Sequence, residues 1–276
     1  MIKLVASDMD GTLLNSKKEL TKRTRDAIAA LVSRGIHFVA ASGRQHFNLF
    51  EVFERANLRD GVSFLAENGA ILFDGREEIF VDRIEPELVR EVVTAARAIE
   101  GVYPVLDGVK SAYFEDDNEE LLYQANHYFA KRQRLPDVLS CLEFDEICKI
   151  ALLDVSGAEQ GVYRAMQPFS DRAQVLLSGP EWVDLINYGV SKGEALTLLC
   201  RRYGIERNEV MAFGDYLNDI EMLKACDYSF AMKNAHPRLV EAARYRAASN
   251  DEDGVAQVLE NWLETGKIEE KSRSEL

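Results

Sequence analysis

Asp8-Met9-Asp10-Gly11-Thr12 follows directly on the apolar run Ile2-Lys3-Leu4-Val5-Ala6. A short apolar run ended by acids, glycine and threonine predicts a first strand, Ile2–Ala6, that leaves the sheet in a turn. Two carboxylates then stand beyond the carboxyl end of a strand, where an open parallel sheet holds its ligand. One acid can attack while its neighbour moves a proton, and both can help hold a cation. The same residues also suit a solvated turn, because Asp, Gly and Thr are common there. The rest of the chain decides between the two.

Downstream, strand and helix alternate. Thr21 is placed to cap a helix whose apolar side holds Ala27, Ile28, Leu31 and Val32, and Gly35 closes it. Ile36–Ala41 is a nearly all-apolar second strand, as a sheet covered on both faces requires. A helix with Phe47, Phe50, Val52 and Phe53 follows, then the strand Val62–Ala66 and a hairpin around Asp74-Gly75. From residue 83 to 187 the order changes. A helix starts at Pro86, short strands lie at Val102–Leu106 and Ser111–Phe114, a helix at Glu119–Lys131 and a strand at Ile147–Asp154. A helix at Glu159–Phe169 and strands Gln174–Ser178 and Val183–Asn187 complete an α+β unit. After Ser191 the alternation resumes: helix Lys192–Tyr203 stopped by Gly204, strand Val210–Phe213, a helix from Asn218, strand Tyr228–Ala231, a helix opened by Pro237, strand Tyr245–Ala248 and helix Val255–Leu263. The expected fold is therefore α/β: a Rossmann-like parallel-sheet core over residues 1–82 and 188–276, helices on both faces, interrupted by an inserted α+β unit over 83–187. The charged tail Lys267–Leu276 is expected to be disordered.

The length of 276 residues suits two domains. No apolar run approaches the roughly 20 residues that span a membrane. A strand beginning almost at once leaves no room for a signal peptide, so a cytoplasmic chain is expected. The four cysteines form no C-x-x-C pair and read as scattered buried thiols. A net charge of −14 argues against nucleic acid as a partner. It does not exclude a small phosphate, because a bound cation and a few placed basic groups reverse the field locally. The oligomeric state stays open.

Three further clusters fall at the same sheet edge. Ala41-Ser42-Gly43-Arg44 ends the second strand; its hydroxyl and backbone N–H groups suit a phosphate oxygen, or simply cap a helix. Ser191 and Glu194 of Ser191-Lys192-Gly193-Glu194 fit a capping box, which puts Lys192 in a first helical turn. There the helix dipole disfavours its charge, so Lys192 is either solvated or has an anionic partner. Phe213-Gly214-Asp215-Tyr216-Leu217-Asn218-Asp219 follows a strand and offers oxygen donors alone, which favour a hard cation such as Mg²⁺. In the expected fold the four clusters converge.

Asp8-x-Asp10-Gly11-Thr12, Ser42, Lys192 and Gly214-Asp215-x-x-Asn218-Asp219 make the chain resemble the haloacid dehalogenase-like phosphatases. The insertion between Ser42 and Lys192 is similar to that of the Cof-type branch, which carries an α+β cap there. Glu67-Asn68-Gly69-Ala70, Ala231-Met232-Lys233-Asn234-Ala235 and Asn250-Asp251-Glu252-Asp253-Gly254-Val255 resemble that branch too. Val39-Ala40-Ala41-Ser42-Gly43, Trp182-Val183-Asp184-Leu185-Ile186 and Tyr228-Ser229-Phe230-Ala231-Met232 resemble its bacterial sugar phosphatases. Arg44 departs from a close relative, which carries a non-basic residue there; this bears on substrate preference and not on the reaction.

The resemblance implies a two-step phosphoryl transfer from a small phosphorylated metabolite. Asp8 would be the nucleophile and Asp10 the acid and then the base. Mg²⁺ would sit on Asp8, the backbone carbonyl of Asp10, and Asp215. Ser42, Gly43, Arg44, Lys192 and Asn218 would hold the phosphate, with Asp219 and Thr12 in support. The cap would close over the site, with Trp182, Tyr113, His127 and Lys149 as candidates for reading the substrate, though each also suits core or surface. The histidines (His37, His46, His127, His236) fall in no motif, and no G-x-x-x-x-G-K-[ST] loop is present. Two alternatives stay open: a phosphomutase on the same scaffold, and a non-catalytic sugar-phosphate sensor.

Overall fold

The computed structural model describes residues 1–268 apart from the His127 side chain, so most of the tail expected to be disordered lies outside the described residues. The chain divides into two units, Met1–Ile79 with the chain from Ser191 on, and Phe80–Val190. The breaks fall after residues 79 and 190, where 82 and 187 were expected.

The first unit begins with β1 (Leu4–Asp8), α1 (Lys22–Ser33), β2 (His37–Ala41), α2 (His46–Arg55), β3 (Val62–Ala66), β4 (Ile71–Asp74) and β5 (Glu77–Val81). The second unit follows: α3 (Pro86–Arg97), β6 (Val102–Gly108), β7 (Ala112–Phe114), α4 (Glu119–Tyr128), β8 (Arg132–Arg134), β9 (Ile147–Asp154), α5 (Val162–Ala165), β10 (Gln174–Leu177) and β11 (Trp182–Ile186). The first unit then resumes with α6 (Lys192–Tyr203), β12 (Val210–Gly214), α7 (Ile220–Lys224), β13 (Tyr228–Met232), α8 (Pro237–Ala242), β14 (Tyr245–Ala247) and α9 (Gly254–Thr265).

In the first unit the sheet runs β14-β13-β12-β1-β2-β3-β4-β5. Its pairs from β14 to β3 are parallel, and β4 turns back antiparallel on β3. Successive strand residues face opposite sides, so each strand feeds two cores. One side packs Leu4, Ala6, Val39, Leu65 and Ala212 against Leu196 and Leu199 of α6. The other carries aromatic contacts, Phe38 and Phe64 on Phe53 of α2, and the stack Phe213–Phe230–Tyr245. Thr21 caps α1 by accepting the Thr24 N–H at 3.1 Å. Gly204 ends α6 at φ +63°, a conformation that only glycine takes without strain.

The second unit is a six-stranded sheet, β10-β11-β9-β6-β7-β8, antiparallel except for the parallel pair β7–β8. Val89, Val92 and Val93 of α3 cover one face over Leu106, Ile150, Leu152, Val183 and Leu185. On the other face Leu121, Ala125 and Phe129 pack on Val105, Ala151, Leu153 and Trp182. Two expected elements are corrected here. The helix expected over Glu119–Lys131 ends at Tyr128, and residues 132–134 pair with β7 as an exposed strand. The helix expected over Glu159–Phe169 is only Val162–Ala165 plus a 3-10 turn at Gln167–Phe169. Pro168 interrupts it, having no N–H to donate and a ring that crowds the preceding turn. Asn187 Nδ2 donates to Asp82 Oδ1 and, at 2.8 Å, to the Arg83 carbonyl, so the two ends of this unit meet.

Among the described residues no helix is long and apolar enough to cross a membrane. The four cysteines are free thiols, three of them buried. His37 stacks on Tyr203, His46 lies among Phe47, Phe50 and Phe73, and His236 caps α8 through its ring nitrogen.

Helices α6 and α7 approach most closely at Gly193, where an added Cβ would stand 2.5 Å from the Glu221 backbone carbonyl. Backbone cannot swing aside as a side-chain tip can. Gly193→Ala is expected to destabilise the protein by about 1–3 kcal/mol, read as a lower urea midpoint.

Candidate active site

Adjacent strands bring the clusters together. β12, β1 and β2 are neighbours, so their carboxyl ends place Asp215, Asp8 and Ser42 side by side. Lys192 comes from the start of α6, which Ser191 caps by accepting the Glu194 N–H at 3.1 Å.

The lysine is not solvated. Its side chain is 0% exposed, and Nζ donates to Asp8 Oδ1 and to Asp219 Oδ1, each at 2.6 Å. Burial works to lower its pKa, but Asp219 and Asp8 outweigh that and hold it above its ordinary value. The carboxylates feel the opposite shortage. Burial and then Asp219 keep the Asp8 pKa well above the usual carboxylate range, although Lys192 opposes them. Burial and then Asp219 push Asp215 up to about 6. Three acids crowd around one buried ammonium, which bonds only two of them.

Asp8, Asp215 and Asp219 have carboxylate oxygens within 4.8 Å of one another. Their commitments differ. Asp219 is fully used: Oδ1 on Lys192, Oδ2 accepting the Asp215 and Tyr216 N–H groups at 3.1 and 3.2 Å. Asp215 Oδ1 accepts from Thr12 Oγ1 at 3.0 Å. Gly11 lies at φ +78° directly against the Asp215 carboxylate, in space that any side chain would fill. Asp8 Oδ2 is buried and has no hydrogen-bond partner among the described residues. An oxygen-only donor set with surplus negative charge and an orphaned buried oxygen fits a hard divalent cation. Asp8 and Asp215 are the side chains free to hold it.

Asp10 faces elsewhere. Its Oδ1 accepts from Lys18 Nζ at 2.7 Å and from Arg44 Nη2 at 2.5 Å. Arg44, expected on the phosphate, thus bonds the second acid. Ser42 is buried; its Oγ accepts the Arg44 N–H at 3.0 Å and its carbonyl accepts the Asn68 N–H at 2.9 Å. Asn218 Nδ2 donates to Asn68 Oδ1 at 3.0 Å, and Gly43 sits close against the same amide. Asn68 therefore joins Ser42, Gly43 and Asn218, a role the sequence reading left unassigned. Asn234 Nδ2 donates to the Gly11 carbonyl at 2.7 Å and steadies the loop after β1. Lys18 was also missed: it lies in no motif. Of the second-unit candidates, Tyr113 is buried with its hydroxyl on Asp145 Oδ2 at 2.8 Å, and Lys149 pairs with Asp107 at 3.0 Å. Trp182 is buried beside Tyr128 and Phe129, and the His127 side chain lies outside the described residues.

This arrangement of four loops at the carboxyl edge of a parallel sheet has known counterparts. Residues 5–259 match the model of the haloacid dehalogenase-like hydrolases, and the chain belongs to that family, in its Cof-type branch. It is 32% identical over 264 residues to the 5-amino-6-(5-phospho-D-ribitylamino)uracil phosphatase YbjI of Escherichia coli, covering 95% of this chain and 96% of that one. The fold is similar to that of TM0651 from Thermotoga maritima, at a TM-score of 0.86 and 29% identity over 95% of this chain and 97% of the other. A haloacid dehalogenase-like hydrolase from Bacteroides thetaiotaomicron superposes at a TM-score of 0.85 with 26% identity, over 95% and 99% of the two chains. The chain is thus of a phosphatase family.

Lys192→Met leaves two buried carboxylates without their counter-charge and is expected to cost about 3–5 kcal/mol, measured by urea unfolding. The folded pKa of Asp215 is raised to about 6, so its protonated form favours folding and its contribution to stability is lost as pH rises through about 6; the raised Asp8 pKa acts in the same direction. A divalent cation relieves that penalty. Mg²⁺ is therefore expected to raise the melting temperature clearly at about pH 7.5 and little at about pH 5, where protons already occupy the carboxylates.

Proposed function

We propose that the chain is a Mg²⁺-dependent phosphatase of small phosphomonoesters, with sugar and polyol phosphates as its substrate class. The observation that carries the reading is the state of Asp8: one oxygen fixed by a buried ammonium, the other buried and unpartnered. A carboxylate oxygen kept out of water without a hydrogen bond is costly, and attack on phosphorus is what it is suited to do.

Mg²⁺ would be held by Asp8, Asp215 and the backbone carbonyl of Asp10. When bound, it offsets the surplus negative charge and stabilises the transferring phosphoryl group. The chain's own groups do the rest. One carboxylate oxygen of Asp8 bonds to phosphorus as the ester oxygen leaves, and Asp10 gives the leaving oxygen its proton. Asp10 then takes a proton from water as the water oxygen bonds to phosphorus and the Asp8–phosphorus bond breaks. The Ser42 hydroxyl and the Lys192 ammonium steady the phosphate oxygens, and Asn68 keeps Asn218 and Gly43 beside them. Asp219 orients Lys192 and the loop after β12.

The Escherichia coli relative is named for a phosphate carried on a ribitylamino chain, which supports a polyol or sugar phosphate as the class here. A cytoplasmic location suits such a metabolite. The sensor alternative is disfavoured because binding alone requires neither an attacking acid nor a second acid beside it. A mutase would need a bisphosphate activator, so fast hydrolysis without one counts against it.

The test is phosphate release from a panel of sugar phosphates and phosphorylated cofactors, with Mg²⁺ or with chelator. Turnover is expected with Mg²⁺ only, falling by at least about a thousandfold in Asp8→Asn while the fold is retained. Saturable binding of one phosphorylated ligand with no turnover by the native chain would replace the phosphatase with the sensor.

A further inference from the structure

Lys18 lies outside every motif, yet its ammonium reaches Asp10. Asp10 Oδ1 accepts from Lys18 Nζ and Arg44 Nη2, while Oδ2 accepts no hydrogen bond from the described residues. The Lys18 side chain is 57% exposed and the Asp10 side chain 31%, so the pair is well screened and adds little to stability.

The backbone is arranged at a cost to make this contact. Lys18 sits at φ +62°, a conformation rarely adopted by a residue with a side chain. Such strain persists only where the surroundings enforce it. Here they do. Asn15 Oδ1 accepts the N–H groups of Lys17 and Glu19, both at 3.0 Å, and the Asn15 carbonyl accepts the Lys18 N–H at 2.8 Å. The turn is then pinned from outside. Ser16 donates from its backbone and its hydroxyl to the two oxygens of Asp251, at 2.8 and 2.6 Å. Asn250 Nδ2 donates to the Leu14 carbonyl at 2.9 Å, and Thr21 Oγ1 to Asp253 Oδ1 at 2.7 Å. The segment 250–253 has no other role in the chemistry above; it holds the turn that carries Lys18.

We infer that Lys18 is a positioning residue for Asp10, and that residues 250–253 are the brace that sets it. The inference rests on the phosphatase reading. Anchoring Oδ1 leaves Oδ2 to face the leaving oxygen. As the bond between an Asp8 carboxylate oxygen and phosphorus forms and the ester oxygen–phosphorus bond breaks, the proton on Asp10 Oδ2 passes to the ester oxygen. The alcohol departs neutral and Asp10 is left as a carboxylate. A loosened Asp10 delivers that proton poorly. The loss should follow the leaving group, since a group that departs readily as an anion needs no proton.

The test compares kcat/KM on the best sugar phosphate of the panel with that on p-nitrophenyl phosphate, for the native chain, Lys18→Met, Lys18→Arg and Asp251→Ala. Lys18→Met is expected to lose about tenfold or more on the sugar phosphate and less than about twofold on p-nitrophenyl phosphate. Lys18→Arg should restore most of the loss, and Asp251→Ala should show a smaller loss with the same leaving-group dependence. Equal losses on both substrates, or none on either, would overturn the positioning role while leaving the phosphatase reading intact. Inactivity of the native chain on both substrates would overturn that reading and this inference with it.

Discussion

A single ammonium, that of Lys192, organises the core of this protein. It is wholly buried at the start of α6, where the helix dipole repels it, and only the two carboxylates at 2.6 Å make that tolerable. The geometry around it follows. Gly69 lies against the Ser191 carbonyl and Gly193 against that of Glu221, in space where no Cβ fits, so the helix start can sink to the level of the strand ends. Asp219 must keep both oxygens occupied to hold the ammonium, and Asp8 can keep only one. The unequal surroundings of the two Asp8 oxygens thus follow from how the lysine divides itself between two acids.

The two acids of the first loop are treated alike in one respect and differently in another. Each has one oxygen tied to a cation and the other presented. Asp8 is buried, where charge is expensive and water cannot compete for it. Asp10 is partly exposed. Proximity in sequence gives them one loop, and unequal burial gives them different surroundings. A net charge of −14 does not set the local field, which Lys192, Arg44 and Lys18 make within a few ångströms of the two acids.

Much of this was legible in the sequence, for physical reasons. β3, β9 and α6 were expected at their observed ends, because each is bounded by strong signals: turn residues around Val62–Ala66, a long apolar run at Ile147–Asp154, Ser191 and Gly204 around α6. β8 was not legible. All three of its residues are exposed and basic or amide, so no alternation marks them, and only its parallel pairing with β7 makes it a strand. The α5 region misled because Met166 and Phe169 extend the apolar spacing past a proline. At the site, the meeting of Asp8, Ser42 and Asp215 was readable, because each stands at the end of a strand in one parallel sheet. The contacts of Asn68 with Asn218 and of Lys18 with Asp10 were not, since both Asn68 and Lys18 take backbone conformations at positive φ that composition does not announce. Arg44 was read as a phosphate ligand, and its bond to Asp10 required the folded loop.

The bond between Asn187 and the Asp82–Arg83 segment closes the inserted unit at its own neck. A guest whose two ends meet asks its host for no more than a short gap between β5 and α6. Closing that gap costs little chain entropy, since the cost grows only slowly with the length enclosed and here is met by the guest's own hydrogen bonds. Such a neck makes the insertion exchangeable: lengthening, trimming or replacing what lies beyond it leaves the host sheet the same closure to make. Diversification of one half of the molecule is thereby uncoupled from preservation of the other.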